Sequence, residues 1–159
     1  MIYILCNDDI LKGGDDMEFK EVCRGKILKE IWQSEEVKEA KSKLRKELQL
    51  LVSEWCKRDR KRRIPVYISL KPKRKIGGLY FQKKRGNGAI VIFPITLLRY
   101  PYDVNSDKDF YIRDKESLIN TLAHEYAHHL SRDASPHGKI FQENFKKVRK
   151  RLIKRLGLD

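Results

Sequence analysis

The sequence predicts an α+β fold with N-terminal helices, a small and mostly antiparallel three-stranded sheet, a central helix and a C-terminal helix. Apolar residues recur at three- and four-residue steps before residue 60 and after residue 114, as they do on helices. Between these regions, short β-branched and aromatic runs alternate with Gly, Asn and Pro, as in strands joined by turns. The 159 residues, 40% of them hydrophobic, suffice for one domain with a single core.

The N-terminal part, residues 16–59, has a helical pattern. Ser34 is predicted to break it and to cap the second helix, and the basic run of residues 57–63 ends the helical region before Pro65. We therefore predict a helical segment over residues 1–60 that packs with residues 61–159 as one compact unit. The periodic apolar residues are Val22, Ile27, Ile31, Trp32, Val37, Ala40, Leu44, Leu48, Leu51, Val52 and Trp55.

Three strands are predicted next, over residues 65–70, 79–81 and 89–93. Gly-Gly precedes the second strand, and the Gly-Asn-Gly of residues 86–88 is a strong turn signal before the third. Residues 100–113 contain proline, asparagine and several aspartates, so we predict a loop there.

Two helices complete the fold. Asp114 is predicted to cap the first, over about 114–131, which is apolar over most of its surface and therefore central. The second, over about 137–156, has one apolar stripe and an opposite face rich in lysine and arginine. The stripe consists of Phe141, Phe145, Val148, Leu152 and Leu156.

Positive charge is concentrated in two segments. The net charge is +14, and residues 57–85 contribute +12 and residues 139–159 contribute +6. Dense basic clusters bind the phosphates of nucleic acid, whereas the alternative interpretation is a solvated face. Tyr80 and Phe81 are positioned to stack on unpaired bases, so single and double strands both stay candidates. The candidate contact residues are Arg58, Arg60, Lys61, Arg62, Arg63, Lys73, Arg74, Lys75, Lys83, Lys84 and Arg85.

The cysteines and apolar runs indicate a compartment. Cys6, Cys23 and Cys56 are odd in number and lack metal-binding spacing, which favours a reducing environment. No run approaches the length of a transmembrane helix, and the start lacks the features of a signal peptide. We expect a soluble cytoplasmic protein without a membrane partner, which can also associate with the nucleoid.

All four histidines lie between residues 124 and 137, and two of them form an HExxH motif. On a helix, His124 and His128 project from one face, so both rings can reach one metal ion. Glu125 lies beside them, where it can take a proton from a metal-bound water. This motif is the minimal equipment of a zinc hydrolase.

A zinc hydrolase usually has three protein ligands and an open position. His137, nine residues after His128 and across a turn, is the first candidate for the third ligand. Asp133 and Glu143 are the alternatives. His129 points about 100° away from His128 on the helix, so it is set aside.

The segment HEYAHH, followed by a short turn and HGKIF, resembles the HExxH…HGxxF pattern of the SprT-like zinc peptidase family. The order of elements is similar over roughly residues 40–150, and the specific part is residues 124–141. The metzincin pattern is excluded, because Ser131 and Ala134 occupy the positions of its glycine and third histidine.

This resemblance implies a zincin-like active-site helix in a SprT-like domain over residues 61–159. It implies that His124, His128 and His137 bind one zinc ion, that Glu125 is the catalytic base and that Phe141 packs behind the site. It further implies a metalloendopeptidase that cleaves nucleic-acid-associated proteins. The zinc-ribbon cysteines found in the family are missing, so the route of substrate recruitment stays open.

Other functions also fit the sequence. One is a nucleic-acid-binding protein with a structural zinc site, although the intact Glu125 favours catalysis. Another is a regulatory peptidase that cleaves one repressor-like partner, as HExxH proteins of the ImmA type are thought to do. A third is a minimal zincin kept latent by residues 1–60. The candidates for a further oxyanion donor are Tyr80, Tyr100, Tyr102, Tyr111 and His129.

Overall fold

The computed structural model describes residues 17–82, 88–97, 110–132 and 134–156. Within these ranges the chain forms five helices and five strands, which confirms the predicted α+β class. None of these helices is long and apolar enough to cross a membrane. The elements are α1 (Phe19–Val22), α2 (Leu28–Gln33), α3 (Glu35–Arg58), β1 (Val66–Ile68), β2 (Gly78–Phe81), β3 (Ala89–Ile92), β4 (Ile95–Leu97), β5 (Phe110–Ile112), α4 (Lys115–Leu130) and α5 (Lys139–Leu156).

The two predicted helix caps are present. Ser34 Oγ accepts a hydrogen bond from the backbone N of Val37 at 3.3 Å, at the start of α3. Asp114 Oδ1 accepts one from the backbone N of Ser117 at 2.8 Å, at the start of α4. Each bond satisfies an N–H group that the first turn of a helix leaves without an intrahelical partner.

The main sheet is mixed, whereas the sequence pattern indicated mostly antiparallel pairing. Its strand order is β1-β3-β2, with β2 antiparallel and β1 parallel to β3. Since β2 and β3 are joined by a short connection, they pair antiparallel. The chain between β1 and β3 is longer because it contains β2, and such a connection allows parallel neighbours.

A second sheet lies partly where a loop was predicted. Strands β4 and β5 pair antiparallel, with Ile95 opposite Ile112. The loop prediction for residues 100–113 is therefore wrong at β5, and residues 100–109 lie outside the described residues. Phe110 and Ile112 pack against the core, and this burial outweighs the polar composition around them.

One hydrophobic core joins the N-terminal helices to the sheet and to the last two helices. Leu48 of α3, Ile90 of β3, Leu122 of α4 and Val148 of α5 are fully buried in the same cluster. Burying a side chain such as Leu48 stabilises the fold by about 2 kcal/mol. Removal of α3 would therefore expose the core beneath it.

Hydrogen bonds of the Arg113 side chain connect the main sheet to the start of α4. Its guanidinium donates to the backbone oxygens of Gly77 at 3.0 Å and Phe93 at 3.2 Å on the strand side. On the helix it donates to the backbone oxygen of Ser117 at 3.1 Å and to the hydroxyl of Thr121. These bonds hold strand β2 against the helix that contains the HExxH motif.

Candidate metal centre

Helix α4 presents two imidazoles on one face, as the four-residue spacing predicts. The rings of His124 and His128 have their centroids 5.0 Å apart, and both side chains are half-buried. Residues four apart on a helix lie one turn above each other, which explains this proximity. The pair is therefore oriented toward a common point.

His137 reaches the same point from a turn before α5. Its φ is +58°, in the left-handed region that non-glycine residues seldom adopt. The backbone N of Gly138 donates to the backbone O of Ser135 at 3.1 Å, which closes the turn. His137 Nε2 consequently lies 3.0 Å from His128 Nε2 and 3.3 Å from His124 Nε2.

These three histidines can hold one metal ion, because one ligand atom from each lies within 4.8 Å of the others. Glu143, an alternative third ligand, is exposed and does not belong to this group. Asp133, the other alternative, lies outside the described residues. The turn, with the unusual φ of His137, is thus what completes the set.

The local environment favours the neutral form of His124 and His128. Burial, together with the neighbouring His124 and His137, lowers the pKa of His128 to about 4. Burial and His137 likewise lower the pKa of His124. Only the neutral imidazole has a lone pair for a metal, so these two rings are able to bind one at neutral pH.

Glu125 is buried next to this cluster. Its side chain is 7% exposed, and its Oε1 lies 4.0 Å from His124 Nε2. Among the described residues, its Oε2 has no hydrogen-bond partner. Burial raises the pKa of Glu125 to about 7. A carboxyl group with this pKa can both accept and release a proton near neutral pH.

Two phenylalanines of α5 form the wall behind the histidines. Phe141 is buried, and its ring stacks on His128 at a centroid distance of 4.3 Å. It also lies 5.0 Å from His124 and 5.0 Å from His137. Phe145 lies 5.2 Å from His124. Packing of the rings against this wall limits their rotation and keeps their nitrogens together.

Strand β2 approaches the other side of α4 through a glycine. A Cβ on Gly78 would lie 2.8 Å from Thr121 Cγ2, 3.1 Å from Glu125 Cγ and 3.2 Å from the backbone O of Val91. Contacts this short would force β2 or the neighbouring side chains of α4 to move. Only glycine therefore lets the strand lie so close to Glu125.

We expect Gly78→Ala to lower the free energy of unfolding by about 1 to 3 kcal/mol, because overpacking separates well-fitted elements. The added methyl group meets Glu125 as well as the sheet, so Glu125 is also displaced. Urea denaturation measures the loss. A variant as stable as the wild type would contradict the close contact between β2 and α4.

His129 lies on a different face, in agreement with its exclusion as a ligand. Its ring is buried, and its Nδ1 shares a hydrogen bond of 2.7 Å with the hydroxyl of Tyr80. Burial lowers the pKa of His129 to about 4, with contributions from Arg132 and Lys61. Of the tyrosines considered as oxyanion donors, Tyr80 is engaged here, Tyr111 is exposed on β5, and Tyr100 and Tyr102 lie outside the described residues.

The predicted nucleic-acid residues lie on three different segments of the chain. Arg58 and residues 60–63 are exposed around the end of α3, before β1. Residues 73–75 follow β1, and Lys73 lies over the ring of Phe93 at 5.2 Å. The cluster 83–85 lies outside the described residues.

Sequence reasoning missed the acid that organises the first of these groups. Asp59 accepts hydrogen bonds from the hydroxyl of Tyr126 at 2.6 Å and from both terminal nitrogens of Arg151, at 2.9 and 2.6 Å. The signal was its position as the one acid within residues 57–63. A carboxylate buried in this way needs cationic partners, because an uncompensated buried charge is costly.

A scan against protein-family models, a search of curated proteins and a search of solved structures each found no match.

Proposed function

We propose that this protein is a zinc-dependent metalloendopeptidase that acts on nucleic-acid-associated proteins. His124, His128 and His137 would hold the zinc ion, and Glu125 would be the catalytic base. The observation that carries this proposal is the buried carboxyl group of Glu125 beside three converging imidazoles, since its Oε2 has no hydrogen-bond partner among the residues that the structure describes. A purely structural zinc site has no use for such a group.

The donor set fits zinc. Ligand nitrogens about 2.1 Å from a tetrahedral zinc ion lie roughly 3.4 Å from each other. His137 Nε2 is 3.3 Å from His124 Nε2 and 3.0 Å from His128 Nε2. Three protein ligands are also the number typical of catalytic zinc, since structural sites usually have four.

In the proposed peptide hydrolysis, the zinc ion and Glu125 have different roles. Zinc, when bound, supplies Lewis acidity that lowers the pKa of water and polarises a peptide carbonyl group. Glu125 accepts the proton of the attacking water at a carboxylate oxygen and donates it to the leaving amine. Its pKa of about 7 suits both transfers, because neither the acid nor the base form is strongly disfavoured.

Strand β2, which lies next to Glu125, has an edge at which an extended polypeptide substrate could bind. Among the described strands, β2 pairs along one edge only, with β3. Gly78 places this strand next to Glu125. An open strand edge can bind an extended chain through backbone hydrogen bonds, which supports peptide hydrolysis.

The alternatives differ in what they require. A nucleic-acid-binding protein with structural zinc is favoured by the exposed basic residues around the end of α3, but it leaves the buried Glu125 unexplained. A peptidase kept latent by residues 1–60 would have to be activated with α3 in place, since Leu48 and Trp55 belong to the core.

The test is metal content together with proteolysis. We expect one zinc ion per wild-type chain and zinc-dependent cleavage of a labelled unfolded protein. His137→Ala should weaken zinc binding by more than about a hundredfold, because the loss of a ligand exceeds the effect of outer-shell changes. Elemental analysis and competition with a chromophoric chelator measure the two quantities.

Glu143→Ala is the matched control, since Glu143 was the other described candidate for the third ligand. It should keep zinc at the wild-type affinity. The proposal would be wrong if the wild type bound no zinc, or if it bound zinc and cleaved nothing. It would also fail at the third ligand if Glu143→Ala rather than His137→Ala lost the metal.

A further inference from the structure

Ion pairs join the end of α3 to one side of α5. Asp59 binds Arg151 at 2.6 Å and Lys147 at 3.5 Å, and Glu54 binds Arg155 at 2.6 Å. Asp59 and Arg151 are 7% and 11% exposed. Two basic segments that lie far apart in the sequence therefore meet at one surface.

These pairs engage the acids and leave the surrounding cations at the surface. Residues 54–63 contain two acids, Glu54 and Asp59, and both face arginines of α5. We use the name "α3–α5 basic surface" for residues 57–63 together with a row on α5. The row consists of Lys147, Lys150 and Lys154.

The lysine row runs beside the ion pairs. Its members are three and four residues apart, so they lie along one side of the helix, and all are exposed. Lys147 itself reaches Asp59, which places the row next to residues 57–63. Glu143, the one acid of α5, lies one turn before the row.

The surface is held rigidly with respect to the metal centre. Asp59 accepts a hydrogen bond from Tyr126, which follows Glu125 on α4. The helix that carries the lysine row also carries Phe141, which stacks on His128. A ligand bound at this surface would therefore be held in a constant relation to the histidines.

We propose that the α3–α5 basic surface binds the phosphate backbone of a nucleic-acid duplex. The row spans about 10 Å along the helix. A duplex presents one negative charge per about 1.7 Å of its axis, so several phosphates lie within reach of the row and of residues 57–63. Contacts to phosphates carry no sequence information, so binding at this surface is expected to be independent of base sequence.

A duplex fits better than a single strand or a membrane. Neither residues 57–63 nor the exposed positions of α5 in residues 139–155 include an aromatic side chain on which unpaired bases could stack. The apolar stripe of α5 is occupied by the core, with Phe141, Val148 and Leu152 buried, so it is not available for insertion into lipid.

A bound duplex would bring its associated proteins to the metal centre, and this role rests on the proposed function. Duplex binding itself does not require proteolysis. Fluorescence anisotropy with a labelled duplex DNA of about 20 base pairs measures it, between about 50 and 200 mM salt. Duplex RNA and single-stranded DNA of the same sequence, and anionic phosphatidylserine vesicles, are the other probes.

Two triple variants each remove three positive charges from one half of the surface. They are Lys147→Gln/Lys150→Gln/Lys154→Gln and Arg58→Gln/Lys61→Gln/Arg62→Gln. Each should weaken duplex binding about tenfold or more at low salt and lower the slope of log K against log salt by about two to three. Arg151 and Arg155 are left unchanged because they hold the helices together.

The matched control is Lys20→Gln/Lys29→Gln/Lys46→Gln, which removes the same charge from exposed positions of α1, α2 and α3. It should change the affinity by less than about twofold, since these lysines do not belong to the α3–α5 basic surface. Zinc content and circular dichroism should stay the same in all variants.

Several results would overturn the inference. They are the absence of duplex binding at low salt, an equal loss in the control variant, and tighter binding to single strands or vesicles than to either duplex. Zinc content and proteolysis are measured separately on the same proteins. A chain that binds duplex but lacks zinc would disprove the peptidase alone, and an active peptidase without duplex binding would disprove only the surface.

Discussion

Replacement of Glu125 by glutamine is expected to reduce peptide hydrolysis by about a thousandfold while the zinc ion stays bound. Proton transfer by a positioned carboxylate contributes about a hundredfold to ten-thousandfold to such reactions. Glutamine has nearly the same shape as glutamate, so the histidines keep their positions. Its amide, however, cannot accept the proton of the attacking water.

The measurement is initial cleavage rate together with zinc content on the same preparation. Glu116→Gln is the matched control, because Glu116 lies on the same helix but is exposed. It should retain full activity. A Glu125→Gln variant that cleaves at the wild-type rate would remove Glu125 from the mechanism, whatever the state of the metal.

The same substitution should change how stability depends on pH in the metal-free protein. The pKa of Glu125 is raised by burial from 4.5 to about 7. An acid with a raised folded-state pKa stabilises the fold fully below its unfolded value, and this contribution is lost as pH rises through the folded value. Between about pH 4.5 and 7, wild-type stability should therefore fall by about 3 kcal/mol relative to Glu125→Gln.

Replacement of Asp59 by alanine is expected to cost about 3 to 5 kcal/mol of unfolding free energy. Asp59 is 7% exposed and engages Arg151 through two hydrogen bonds. Without it, the guanidinium and the hydroxyl of Tyr126 are left without this partner in a largely buried position. Removal of one member of a buried ion pair is costly because the other charge stays uncompensated.

Urea denaturation of Asp59→Ala measures the cost, and Glu35→Ala provides the comparison. Glu35 forms an ion pair of 3.0 Å with Lys38, but the two side chains are 82% and 58% exposed. Exposed pairs contribute less than about 1 kcal/mol. If both variants lost the same stability, Asp59 would have no special place in joining α3, α4 and α5.

The low pKa of Asp59 also determines how stability should change with pH in acid. Burial by itself raises its pKa, but hydrogen bonds from Arg151 and Tyr126 and the charges of Arg151 and Lys147 lower it to about 2. A depressed carboxyl pKa stabilises the fold above the unfolded value of 3.8, and the benefit is lost as pH falls toward 2. Wild type should lose about 2 kcal/mol in this window, and Asp59→Ala should not.

Much of the local structure was predictable because it depends on neighbours in the sequence. The caps at Ser34 and Asp114 and the one-face placement of His124 and His128 follow from helix geometry alone. The parallel pairing of β1 and the strand β5 were not predictable in this way, because strand partners are chosen by burial among distant residues.

In the candidate site, too, some features depend on neighbours in the sequence and others on contacts between distant residues. By itself, the sequence determined the HExxH helix and the placement of two imidazoles on one face of it, since residue type and a four-residue period suffice for that. Only the tertiary structure decided that the turn of His137, rather than Glu143, completes the cluster. It also decided that Glu125 is buried and that α5 brings a second row of cations to residues 57–63. Burial and charge pairing depend on contacts between distant segments, and no local pattern encodes them.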